Sequence, residues 1–509
     1  MVRIGSAGVT LNDVILVARE GAEVEVTAEA LAEVSSSRTV IDAMAADPTP
    51  HYGVSTGFGA LANTWIPVHR RTALQESLVR SHAASTGSEV ETEVVRALML
   101  LRLATLATGR TGVRAEVVTA YADFLNSGFT PVVGEYGSLG CSGDLAPLAH
   151  CALALMGEGD TRSPEGELVP ASEALAACGL RPLRLQEKEG LALINGTDGM
   201  LGQLVLAIAD LERLVTIADI AAAMSVQGLI GLEAVFAHDL QQLRPHPGQA
   251  ASAANIRLAL ANSMLLQSRQ NREQPKVQDA YSVRCAPQVH GAVRDTIGHA
   301  RLVAERELAA AVDNPVVTAD GRIESNGNFH GAPLGYVLDF LAIAVADLAS
   351  ISERRTDRFL DTSRNRGLNP FLAHDPGVDS GHMIAQYTQA GIVSELKRLA
   401  TPASVDSIPT SAMQEDHVSM GWSAARKLRR AIDGLSRVVA IELLTAARAL
   451  QQREVPASPV ARSVIRLLRE RIPAPGPDRY LAPEIAHAVR LVQDGRLISA
   501  ARVASPGLT

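Results

Sequence analysis

Along residues 202–235, Leu204, Ile208, Leu211, Val215 and Ala218 recur every three or four positions, the spacing that lines one face of an α-helix. The same period runs through 422–454, where Leu428, Ile432, Leu435, Val439, Leu443, Ala446 and Leu450 form the stripe and arginines occupy the other face. Pro456 follows closely and stops that helix. A third segment, 336–360, is apolar on nearly all sides ("YVLDFLAIAVADLASI"), which predicts a helix enclosed by others. Helices of this length, packed side by side, form a bundle with sites available between facing helices. Glycine and proline concentrate instead in the first 200 residues, at 51–60, 84–88, 126–147 and 157–170. The prediction is a mainly α protein. A smaller mixed region over 1–200, with turns, short helices and a few strands, precedes a long central helical bundle over 201–509. The stretch 268–288, "SRQNREQPKVQDAYSVRCAPQ", reads as an ordered polar loop, and the closing "VASPGLT" as a short frayed tail.

Composition sharpens this picture. The 509 residues are 47% hydrophobic but only 3% aromatic, a balance that favours packed helices over β-sandwiches. A net charge of −8 gives no footing for nucleic acid, and "RKLRR" at 426–430 interleaves with apolar residues as the solvated face of a helix. Cys141, Cys151, Cys178 and Cys285 show no CxxC spacing, so a disulfide framework or a zinc knuckle is not expected and a reducing cytoplasm is. The histidines show no HExxH-like spacing, and no metal site is expected. The N-terminus lacks the basic start and apolar core of a secretion signal. No uncharged apolar run approaches the roughly 20 residues a bilayer requires. The expectation is a cytoplasmic chain that binds neither nucleic acid nor membrane.

Candidate chemistry centres on "GSLGCSGDLAPLAH", residues 137–150. Its glycine spacing is not that of a dinucleotide fingerprint or a P-loop, and Ser142 adjoins Gly143 too closely for a nucleophile elbow. An ordinary turn accounts for most isolated Ser-Gly pairs. In a tightly bent loop, however, the Gly143 nitrogen can be pressed against the carbonyl carbon of Cys141 and close a ring. Dehydration that removes the Ser142 hydroxyl then leaves an exocyclic methylene, a strong electrophile. Glycine tolerates such compression because it lacks a Cβ, and functional turns are places where strain is stored.

Five further blocks accompany that loop in order: "YGVSTGFG" (52–59), "EGLALINGTDGM" (189–200), "VQDAYSVRCAPQ" (277–288), "NGNFHG" (326–331) and "QEDHVSMG" (414–421). Together, over about residues 5–450, they resemble the aromatic amino acid ammonia-lyases, whose prosthetic group is 4-methylidene-imidazol-5-one (MIO) built from Ala-Ser-Gly. The resemblance implies the aromatic amino acid lyase fold and autocatalytic formation of MIO from Cys141, Ser142 and Gly143, with no external cofactor. Cys141 stands where alanine is commonest, and only its carbonyl would enter the ring. Ser81-His82 and Gln414-Glu415 resemble the histidine-acting branch. The implied reaction is non-oxidative elimination of ammonia from L-histidine to give trans-urocanate, the opening step of histidine degradation. The same chemistry on tyrosine or phenylalanine, a 2,3-aminomutase, and an inactive helical scaffold are the alternatives.

The resemblance also assigns roles. Tyr52 is the base for the β-proton; a phenol with a reference pKa of about 10 serves only where its site stabilises phenolate. Tyr281 lies close to the electrophile, and Arg284 is a bidentate clamp for the substrate carboxylate. Gln278 and Asn195 orient amine or carboxylate, although an asparagine in "NGTDG" is more often a turn former. His82 and Glu415 hold the imidazole, Phe329 walls the ring, and His330 stands behind. A homotetramer with active sites shared between subunits is implied as well. Ser55, Met413, Gly331-Ala332 and His290 depart from the usual pattern, which bears on the substrate rather than on the electrophile.

Overall fold

The computed structural model describes residues 1–47, 51–57, 59–61, 63–268 and 277–509. It is mainly α, as the periodicity predicts. The chain divides into two compact units: Met1–Leu206, Ala300–Asp339 and Pro402–Arg426 form one, and Ala207–His299, Phe340–Thr401 and Lys427–Thr509 the other. The first crossing lies near the predicted boundary at 200. The expected contiguous second region does not hold, because two later segments return to the first unit.

The strands among the described residues all belong to the first unit. Val2–Ile4 pairs in parallel with Val24–Val26, and Thr86–Glu89 pairs antiparallel with Gly134–Tyr136. Asp160–Arg162 lies between Thr130–Pro131 and Leu168–Pro170. Helix Thr92–Ala107 buries every residue from Val94 onward, so its two arginines must find partners inside. Arg96 donates to the carbonyls of Val17 and Leu125, and Arg102 pairs with Asp198 at 2.5 Å. An unpaired cation there would be prohibitively desolvated. Trp422 is 2% exposed and gives its indole N–H to the Glu135 carbonyl at 2.7 Å.

The described part of the second unit is helical. The 202–235 stripe becomes helix Asp198–Gly228, which stops early because Ile230 takes φ 52°. Arg453 donates to the Gly228 carbonyl at 2.7 Å, satisfying an orphan acceptor of the helix end. The stripe at 422–454 becomes Gly421–Gln451, and the all-round apolar segment becomes Ala332–Leu360, most of its apolar stretch buried by the protein itself. Of the polar loop at 268–288, residues 269–276 lie outside the described residues, and the remainder carries helix Tyr281–Arg284 and the start of Ala286–Leu308. The tail is not frayed. Leu508 is 2% exposed, Thr509 exchanges hydrogen bonds with Asn255 at 3.1 and 2.9 Å, and Thr216 donates to its carbonyl.

Candidate active site

Two left-handed glycines shape the loop at 137–143: Gly140 at φ 69° and Gly143 at φ 73°. A Cβ on Gly143 would collide with the Gly196 carbonyl, so residue 143 can only be glycine in this geometry. The neighbouring amide of Asp144 donates to that same carbonyl at 2.7 Å. Gly196 in turn has no room for a Cβ beside Arg102 and Asp198. Asp144 is fully buried, its carboxylate accepting from Ser138 Oγ and the Met200 amide, each at 2.8 Å. Burial pushes its carboxyl up to about 7. The bend is therefore fastened by backbone and buried polar bonds on its inner side. Ser142 is left on the outer side, half-buried.

Glu415 faces that serine. Ser142 Oγ donates to Oε1 and Cys141 Sγ to Oε2, each at 3.1 Å. Thr410 holds the carboxylate from behind, giving its hydroxyl to Oε2 at 2.9 Å while the two residues exchange backbone bonds. Burial, reinforced by Glu415, pushes the Cys141 thiol up to about 12.

His82 ends helix Arg71–His82. Its Nδ1 lies 2.9 Å from the Leu78 carbonyl and 3.1 Å from Ser81 Oγ. Burial lowers its pKa from the ordinary value, with Leu78 and Glu415 acting the other way, so the ring is neutral. Asn195 is 3% exposed; its amide nitrogen donates to the Asn314 carbonyl at 3.3 Å, while Oδ1 is buried and has no partner among the described residues. Such an orphan acceptor is costly unless a ligand meets it. Tyr52 accepts from the Gly59 amide at 3.3 Å. Burial, chiefly, raises its pKa; Glu415 and Asp313 add to that, and the Gly59 N–H opposes them.

Tyr52, His82, Ser142, Asn195 and Glu415 all line one cavity of about 650 Å³, together with the apolar Leu74, Leu78, Leu145, Leu191 and Ile194 and the neutral polar Ser77, Ser81, Asn314 and Ser411. A smaller cavity of about 300 Å³ shares Tyr52, Ser142 and Glu415 and adds Cys141, Phe329 and His330. His330 stacks on His417, ring centroids 5.8 Å apart.

Gln278, Tyr281 and Arg284 line neither cavity. They belong to the second unit, where Gln278 is exposed and Tyr281 is 72% exposed. The Arg284 guanidinium lies 4.7 Å over the Tyr281 ring, and its Nε is buried without an acceptor among the described residues.

Sequence reasoning missed Asn314, which lines both cavities and bonds Asn195, and Thr410, the support of Glu415. Asn314-Pro315 was a readable turn signal; Thr410 carried none. The departure at Ser55 has a local explanation, since its buried hydroxyl accepts the His51 amide at 2.8 Å. Gly331 donates to the Gly140 carbonyl at 3.1 Å, where a Cβ would press on Met200.

A helical protein with such a Ser-Gly bend against a carboxylate, a phenol and an imidazole has the fold of the carbon–nitrogen lyases that act on aromatic amino acids. Residues 9–470 match the aromatic amino acid lyase family, and the chain belongs to that family. It is 63% identical to histidine ammonia-lyase of Streptomyces coelicolor over 500 residues, 98% of each chain. In structure it resembles tyrosine aminomutase from Streptomyces globisporus, with a TM-score of 0.94 and 36% identity over 100% of each chain. Histidine ammonia-lyase from Trypanosoma cruzi gives a TM-score of 0.91 at 36% identity, covering 99% of this chain and 96% of that one.

Proposed function

We propose that this chain eliminates ammonia from L-histidine to give trans-urocanate. The observation that carries the reading is the placement of His82 and Glu415 on one cavity with Ser142 and Tyr52. An imidazole has polar edges that an apolar pocket would leave unpaired, and His82 and Glu415 are the cavity's imidazole and carboxylate, able to meet those edges as acceptors.

The Cys141-Ser142-Gly143 bend suits an MIO group formed from the chain, because the Gly143 conformation and its contact with Gly196 admit no side chain. That group would supply an electrophile for the substrate amine, making the amine a better leaving group. The remaining steps belong to ordinary residues. His82 accepts a ring N–H at Nε2, Glu415 takes the polar edge of the imidazole, and Phe329 covers the ring. The unpaired Asn195 Oδ1 receives the amine. Tyr52 removes the β-proton. Its raised pKa means that it ionises only when the burial and the nearby Glu415 and Asp313 charges that raise it are offset in the substrate-bound site.

Arg284, Tyr281 and Gln278 complete the site from another copy of the chain in a homotetramer. The exposure of Tyr281 and the unsatisfied guanidinium beside it support their having a role outside their own unit. The four cysteines are all unpaired, and the reducing cytoplasm is the proposed setting.

Incubation with L-histidine should raise the ultraviolet absorbance of urocanate, and Ser142→Ala should abolish the rise. Coumarate from tyrosine with histidine untouched would reverse the substrate assignment. The likeness to tyrosine aminomutase gives the second reading, which a β-amino acid in the product NMR spectrum would establish.

A further inference from the structure

Behind the Tyr281–Arg284 turn lies a set of buried charges that the elimination chemistry does not use. Arg355, on helix Ala332–Leu360, is fully buried. It forks onto Glu442, Nε to Oε1 at 2.5 Å and Nη2 to Oε2 at 2.9 Å. Ser225 and Ser352 donate to the same carboxylate at 2.7 and 2.6 Å. That leaves Nη1, which donates to the Ser282 carbonyl at 3.3 Å and lies 3.5 Å from His290 Nε2. His290 is oriented by Asp219 Oδ1, 2.8 Å from its Nδ1. Asp219 is completed by Arg294 at 2.6 Å and Asn255 at 3.0 Å.

Ser282 sits inside the helical turn Tyr281–Arg284. Among the described residues no acid pairs with Arg284; its Nε lacks an acceptor and its guanidinium rests on the Tyr281 ring. Tyr281 and Arg284 are carried on one short helical turn, so its backbone places both the ring and the guanidinium that rests on it. The backbone, in turn, is tied inward through the Ser282 carbonyl. A fork with two arms on a fixed carboxylate and a third on a loop carbonyl is a geometry that lysine cannot reproduce.

We propose that Arg355, clamped by Glu442 and flanked by His290, is a positioning residue that holds the Tyr281–Arg284 turn where Arg284 can meet a substrate carboxylate. The inference rests on the carboxylate role of Arg284 in the proposed function. It also gives the unusual His290 a task, that of a neutral acceptor beside the third arm of the guanidinium.

The test compares wild type with Arg355→Lys on two ligands: L-histidine as substrate, and histamine, which keeps the imidazole and amine but lacks the carboxylate, as competitive inhibitor. Small misplacements of a clamp cost up to about a hundredfold, so kcat/KM for L-histidine should fall at least about tenfold. The inhibition constant for histamine should move less than about twofold. Glu442→Gln keeps the volume of the clamp and weakens its charge, and it carries the same comparison if Arg355→Lys does not fold. Equal losses on both ligands, or no loss on either, overturn the positioning role. Wild-type turnover of L-histidine, measured in the same series, keeps that failure separate from a failure of the proposed function.

Discussion

His82 Nδ1 lies 2.9 Å from the Leu78 carbonyl one helical turn earlier, and this contact fixes the tautomer. The proton sits on Nδ1, and Nε2 offers a lone pair to the cavity. Burial lowers the His82 pKa below the ordinary histidine value. KM for L-histidine should therefore stay level as pH falls to about 6.5 and climb only below it, when the ring takes a proton and becomes a donor. Initial rates across pH check this. His82→Leu, which removes the acceptor, should raise KM about tenfold, in line with the loss of one hydrogen bond.

Gly143→Ala should fold and yet lack the dehydration mass deficit that ring closure leaves. The added Cβ meets the Gly196 carbonyl and opens the bend before the backbone groups can approach. Intact-mass spectrometry beside wild type decides it, and an unchanged deficit in the variant would refute the compression argument.

Glu415 receives hydrogen bonds from Cys141, Ser142 and Thr410, so Glu415→Gln alters the charge and acceptor capacity of the pocket with little change of shape. Bonds to charged groups contribute about 1.5–3 kcal/mol. The expected loss in kcat/KM for L-histidine is thus about tenfold to a hundredfold, with melting temperature little changed. Steady-state kinetics with a thermal melt on the same sample test both halves.

His382 is buried in the second unit, its Nδ1 3.0 Å from Thr445 Oγ1. Burial, with Arg448, Arg479 and Arg469 adding to it, pushes its pKa down to about 3. The unfolded chain binds a proton at this position near pH 6.5 and the folded one does not, so stability falls as pH drops from about 6.5 to about 3. The slope attributable to this group is about 1.4 kcal/mol per pH unit. Relative to its own value at neutral pH, the wild type should lose more melting temperature on acidification than His382→Gln does.

Arg102 pairs with Asp198 and also donates to the Asn195 carbonyl at 3.1 Å. Arg102→Met strands a buried carboxylate, and removing one partner of such a pair costs about 3–5 kcal/mol. Denaturant titration should show that loss in the midpoint.

The long helices were legible because an apolar period is a local signal that tertiary contacts rarely reverse. The Ser142-Gly143 bend was legible as chemistry only through the accompanying blocks, since a bare Ser-Gly pair reads as a turn. What pattern could not supply was the partnership of distant positions. The return of Ala300–Asp339 and Pro402–Arg426 to the first unit, the backing of Glu415 by Thr410 and the joining of Asn195 to Asn314 all depend on segments far apart in sequence or free of any motif. The closing residues misled for a related reason. A short polar tail looks loose until Asn255 and Thr216 are found to receive it. The direction of the Tyr52 shift was equally hidden, because burial is a property of the packed chain.

Cys141 places sulfur beside Ser142, on the same Glu415 carboxylate. A thiol held near pKa 12 is ionised in on the order of one molecule in 10⁵ at neutral pH, and alkylating reagents attack only the ionised form. Iodoacetamide and maleimides should therefore pass this sulfur by, and inhibitors built around a cysteine-seeking warhead would find no anchor here.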